Sequence, residues 1–141
     1  MEKLNFDNGT RTFEVNGSTV ITFNPSDIGF ANEVFKLTEQ FEAIRAENEK
    51  IAEGDDVYEA VRRSDAEMRA AVDSVFGEGV SAGLFGKANV FSPCDGLPMV
   101  LNFLLAVLDV IDENIDKAVK PNPRINAYVE KYNKKYGKYL G

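Results

Sequence analysis

Residues 97–115 constrain this chain more than any other stretch. Met99, Val100, Phe103, Leu104, Val107, Leu108, Ile111 and Ile115 make this segment apolar on almost every side of a helix. A helix that is hydrophobic all round belongs at the centre of a fold. Asn102 and Asp109 interrupt the run, which also falls short of the ~20 apolar residues that cross a bilayer. Gly96-Leu97-Pro98 reads as the start of this helix, since proline suits a first turn. Pro121 and Pro123 lie beyond its expected end. The rest of the chain has to wrap this helix.

The wrapping elements can be read in order. Asn16-Gly17 separates two runs rich in β-branched and aromatic residues, 11–15 and 18–23. Asn-Gly is the strongest two-residue hairpin signal, because a type I′ turn needs positive φ twice. Asp7-Asn8-Gly9 offers a second turn after a short strand at 3–6, which would make a three-stranded meander. Val20 and Thr22 fall on one face of the second strand; Thr19, Ile21 and Phe23 fall on the other. Ser26 or Asp27 then caps a long helix. Its apolar stripe is Phe30, Val34, Leu37, Phe41, Ile44 and Ile51. Gly54 breaks the pattern. A second helix follows over 56–76, with Val57, Val61, Met68, Ala71, Val72 and Val75 toward the core and an alternating-charge face of Glu59, Arg62, Arg63, Asp65, Glu67 and Arg69. The two helices are expected to pair antiparallel. Glycines at 77, 79, 83 and 86 bracket a short turn that tucks Leu84 and Phe85 under the helices. Residues 89–95 read as a loop. A last helix over 123–136 places Ile125, Tyr128, Val129, Tyr132 and Tyr136 on one side. The expected fold class is α+β: an N-terminal β-hairpin or meander over 3–23, a bundle of about four helices over 26–137 and a basic tail at 138–141, all in a single domain of 141 residues.

The chemistry the residues permit is narrow. There is no histidine and one cysteine, Cys94. The commonest general base and transition-metal ligand is therefore missing, and no intramolecular disulfide or multi-cysteine zinc site can form. Asp109, Asp112, Glu113 and Asp116 cluster at helical spacing, but no EF-hand loop accompanies them; a solvated helix face is the simpler reading. The Gly-rich stretch is not followed by Gly-Lys-Ser/Thr and so is no P-loop. No catalytic, cofactor or metal residue is assigned. The net charge of −7 is uneven: seven basic residues face one acidic residue from Lys117 onward. An acidic body argues against nucleic acid. The basic, tyrosine-rich end suits an acidic protein partner or the acidic face of a second copy in a homo-oligomer. No secretory or membrane segment is read, so a cytoplasmic location is expected.

Three features resemble one family. They are the Asn-Gly hairpin leading through Asn24-Pro25-Ser26 into helices, the segment Asp73-Ser-Val-Phe-Gly-Glu-Gly-Val-Ser-Ala-Gly-Leu-Phe-Gly86, and the apolar helix after a short loop. Together they are similar to the tail assembly chaperones of long-tailed phages and of prophages in Gram-positive bacteria. The resemblance covers residues 10–116 best. It implies a small α-rich protein without catalytic residues that keeps the tape-measure protein soluble and helps tail-tube subunits polymerise around it, in the host cytoplasm. Leu84, Phe85, Tyr128, Tyr132 and Tyr136 are the expected partner-binding residues. A minor structural or scaffold component of the tail, or a general protein–protein interaction module, is the alternative.

Overall fold

The computed structural model describes residues 1–51, 56–115 and 127–132. Its order is β1 (Arg11–Val15), β2 (Thr19–Phe23), α1 (Ile28–Glu49), α2 (Val57–Phe76), α3 (Val80–Phe85), β3 (Pro93–Cys94), β4 (Leu97–Pro98) and α4 (Met99–Asn114), with residues 127–132 helical as well. The fold is α+β, a two-stranded antiparallel hairpin followed by helices.

The hairpin turns where expected. Asn16 and Gly17 both take positive φ, 51° and 75°, and Ser18 N–H donates to Val15 O at 3.2 Å. Phe13 pairs with Ile21 and Val15 with Thr19, which puts the apolar side chains on one face. Ile21 and Phe23 are buried, while Val20 on the other face is exposed. The third strand expected at 3–6 is absent. The turn at Asp7-Asn8-Gly9 does form, through Gly9 N–H donating to Asp7 Oδ1 at 2.9 Å and Thr10 N–H donating to Asn8 Oδ1 at 3.0 Å. Asn24 Nδ2 donates to Asn8 O at 3.1 Å. That bond ties Asn8 to the open end of the hairpin, beyond the last pair Arg11–Phe23, so the hairpin spans 11–23 and not 3–23.

Asp27 caps α1, accepting from Gly29 N–H at 2.9 Å. Asp56 caps α2, accepting from Glu59 N–H at 3.0 Å. The two helices pack antiparallel: Phe30 at the start of α1 meets Phe76 at the end of α2, and Asn48 near the end of α1 accepts from Ser64 Oγ of α2 at 2.6 Å. Val34, Leu37, Phe41 and Ile44 are buried as the stripe requires, joined by Phe35 and Thr38. Met68, Ala71 and Val72 of α2 are buried, but Val57 and Val61 are exposed. The apolar period continues into the first turns of α2, where it has run past the packed part of α1.

The central helix is as expected. Val100, Leu101, Leu104 and Leu108 of α4 are fully buried. It starts one turn later than Gly96, because Leu97–Pro98 pairs antiparallel with Pro93–Cys94. Asp95 and Gly96 turn that small ribbon with φ of 53° and 86°, the same positive pair that turns the first hairpin. Residues 89–95 are thus partly strand rather than loop.

The Gly-rich stretch folds into α3, whose ends are fixed by α2. Gly79 supplies no side-chain cap; Asp73 Oδ1 accepts Ser81 N–H at 2.7 Å instead. Gly83 sits so close to β2 that a Cβ there would lie 2.8 Å from Thr19 Oγ1, so the helix approaches the sheet only because that side chain is missing. The charged face of α2 is only partly solvated. Glu59 and Arg62 pair at the surface. Asp65 and Arg69 are largely buried and tie down the segment after α3, with Arg69 Nη2 donating to Gly86 O at 2.8 Å and to Ala88 O at 2.7 Å.

Residues 123–126 and 133–136 of the expected last helix, the tail at 138–141 and Asp116 lie outside the described residues.

Candidate protein-interaction site

β1 overhangs the core. Ile21 and Phe23 on β2 are covered, whereas Phe13 and Val15 on β1 are only half-buried. Opposite them α4 presents Phe103, Ala106, Val107 and Val110. The space between is an apolar hollow of about 230 Å³, with Glu14 on its rim. A second hollow of about 320 Å³ adjoins it, sharing Val15, Asn16, Phe103 and Ala106, and is walled by Leu84, Phe85, Met99, Asn102 and Cys94. Asn102 Nδ2 donates to Cys94 O at 3.0 Å, which fixes the β3–β4 ribbon against α4 at that end. The result is a cleft with an apolar floor beside a strand that has no partner on its outer side among the described residues. Such a surface recognises an apolar or extended polypeptide by contact area and by main-chain hydrogen bonds. A larger hollow, about 660 Å³, lies between α1 and α2, but its walls are mainly polar and charged (Gln40, Glu47, Lys50, Arg63, Glu67).

The residues read from the sequence as a partner face are divided. Leu84 and Phe85 line the second hollow; Leu84 is half-buried and Phe85 is nearly covered, its ring edge-on to Phe103 at 5.9 Å. Tyr128 and Tyr132 lie elsewhere, on α1. Tyr132 is buried and its hydroxyl donates to Glu42 Oε1 at 2.7 Å; Tyr128 donates to the same oxygen at 3.2 Å. Tyr128 also meets Phe35 edge-on, with centroids 6.3 Å apart. Both phenols therefore hold residues 127–132 to the domain. Tyr136 lies outside the described residues. The half of the site that sequence reasoning missed is Phe13, Val15, Met99 and Ala106. Ala106 is the one small residue among the α4 residues that line the two hollows.

Burial raises the pKa of Tyr128 well above its ordinary value, helped by the adjacent Tyr132 and then by Glu42. Burial also raises Tyr132, reinforced by its hydrogen bond to Glu42. A phenol whose folded pKa exceeds its unfolded value of about 10 contributes stability that is complete below that pH and is lost as pH rises above it, because the unfolded chain alone releases the proton. The urea midpoint is expected to be flat through neutral pH and to fall above about pH 10, and the Tyr128→Phe/Tyr132→Phe variant should have a flatter alkaline limb. Denaturant titrations across that range check this.

Among the described residues no group of three or more potential ligands could hold a metal ion, and no helix is long and apolar enough to cross a membrane. Compared with known proteins, the chain matches no family model, no curated protein and no solved structure.

Proposed function

We propose that the chain is a non-catalytic tail assembly chaperone that binds a phage tape-measure protein through the β1–α4 cleft and so promotes tail-tube assembly. The observation that carries this reading is the cleft itself, an apolar floor open to solvent between β1, α3 and α4. The segment on which the family resemblance rests supplies one wall, because α3 carries Leu84 and Phe85 to its edge. The resemblance and the geometry thus meet in the same residues. A client helix or extended segment would bury Leu84, Met99 and the surface of Phe103, and contacts of this kind concentrate binding energy in a few apolar anchors.

Co-expression tests the reading. The wild-type chain is expected to keep a tape-measure protein soluble. The Leu84→Ser/Met99→Ser variant, verified as folded by its cooperative thermal transition, should lower the soluble client by roughly tenfold. Equal soluble client with the folded variant would overturn the assignment of the cleft. Presence of the chain in purified mature virions would favour the tail-component alternative, since a chaperone leaves before maturation.

A further inference from the structure

Residues 1–10 form neither helix nor strand, yet besides Met1 they carry Leu4 and Phe6 into solvent. Leu4 is 84% exposed and Phe6 78%. Spaced two apart, they share one face of an extended chain. The bonds from Asn24 to Asn8 and within residues 7–10 tie the base of this arm to the open end of its own hairpin, and the arm does not pair with its own β1. The outer edge of β1 meanwhile lacks a strand partner among the described residues, and the hollow of about 230 Å³ beside it is lined by Phe13, Phe103, Val107 and Val110.

We propose that the arm of one copy adds to the β1 edge of a second copy as a third strand and seats Leu4 and Phe6 in this hollow. The lengths agree: β1 has five residues, and residues 3–7, once paired, would make an equally long strand of about 17 Å. Phe13 already stacks on Phe23, and the arm would cover the side of Phe13 and Val15 that stays half-exposed. Arm and hollow are different surfaces of one chain, so the contact either closes as a reciprocal pair of copies or runs head-to-tail into a ring or an open row. A five-residue edge with two side chains falls below the roughly 1,200 Å² of a stable interface, so the association is weak and grows with concentration. The inference is independent of the client's identity; the hollow it uses reaches the Val110 end of the cleft and shares Val15, Phe103 and Ala106 with the Leu84 end.

Sedimentation velocity on the full chain, from about 5 to 500 μM, tests it. The weight-average mass of the wild type should rise across the range. Leu4→Ser/Phe6→Ser, which alters only exposed side chains, should remain monomeric. Ala106→Glu, an exposed position that lines the hollow, should also remain monomeric. Mixing these two variants should restore a one-to-one complex, because the first keeps the hollow and the second keeps the arm. A wild type that stays monomeric throughout would overturn the proposal. So would an arm variant that associates like the wild type, or a mixture that forms no complex.

Discussion

Replacing Leu104 with alanine is expected to cost the fold about 3–5 kcal/mol. Leu104 has no exposed surface and sits at the middle of α4, the helix on which α1 and the β3–β4 ribbon both pack. Truncation there removes buried apolar area and leaves a cavity that the neighbouring Leu101, Val107 and Leu108 cannot fill without leaving their own contacts. Domains of this size are stable by roughly 5–15 kcal/mol, so the loss is a large share of the total. The melting temperature should fall by about 10–20 °C, measured by circular dichroism. Val61→Ala is the control. Val61 shares the apolar period of α2 but is exposed, and its truncation should stay within about 0.5 kcal/mol.

Asp65→Ala should be the most damaging change of a polar residue, at about 2–4 kcal/mol. One oxygen of Asp65 accepts Val90 N–H at 2.8 Å, and the other accepts Arg69 Nε at 3.0 Å. Val90 is fully buried, so losing the acceptor strands a donor away from water. It also leaves Arg69, whose side chain is about four-fifths buried, without its counter-charge while it still bridges the carbonyls after α3. The pair is not sealed from solvent, which keeps the expected cost below that of a fully buried ion pair. Asp65→Asn retains an acceptor for Val90 and should cost about half as much. Arg69→Lys should resemble Asp65→Ala more than Asp65→Asn, since an ammonium cannot span the carboxylate and two carbonyls at once. Urea unfolding of the three variants ranks them.

Local signals carried much of the fold. Asn16-Gly17 marked the first hairpin, Ser26-Asp27 and Asp56 marked the helix starts, and the apolar run of residues 99–111, interrupted only at Asn102 and Asp109, marked the centre. The failures have identifiable causes. Asp95-Gly96 carries the same turn signal as Asn16-Gly17, but its flanks are two residues long and contain prolines, so they look like a loop. Val57 and Val61 keep the helical period because periodicity shows which face is apolar and not how far the partner helix extends. Leu4 and Phe6 have strand spacing, but the bond from Asn24 to Asn8, sixteen residues earlier, ties that segment to the open end of the hairpin. The candidate site was half legible. Leu84 and Phe85 stood out in a Gly-rich stretch, whereas their neighbours Val15, Met99 and Ala106 come together only through the packing of the hairpin against α4. Tyr128 and Tyr132 declared an aromatic face, but nothing local announces that Glu42, some ninety residues earlier, accepts both hydroxyls and turns them inward.

The most direct test of the cleft as the client surface is amide hydrogen exchange of the chain alone and saturated with the tape-measure protein. Exchange should slow at Arg11–Val15 and across residues 84–99, with residues 127–132 and the outer face of α2 unchanged. Protection confined to residues 127–132 and α1, with the cleft exchanging as before, would contradict the account.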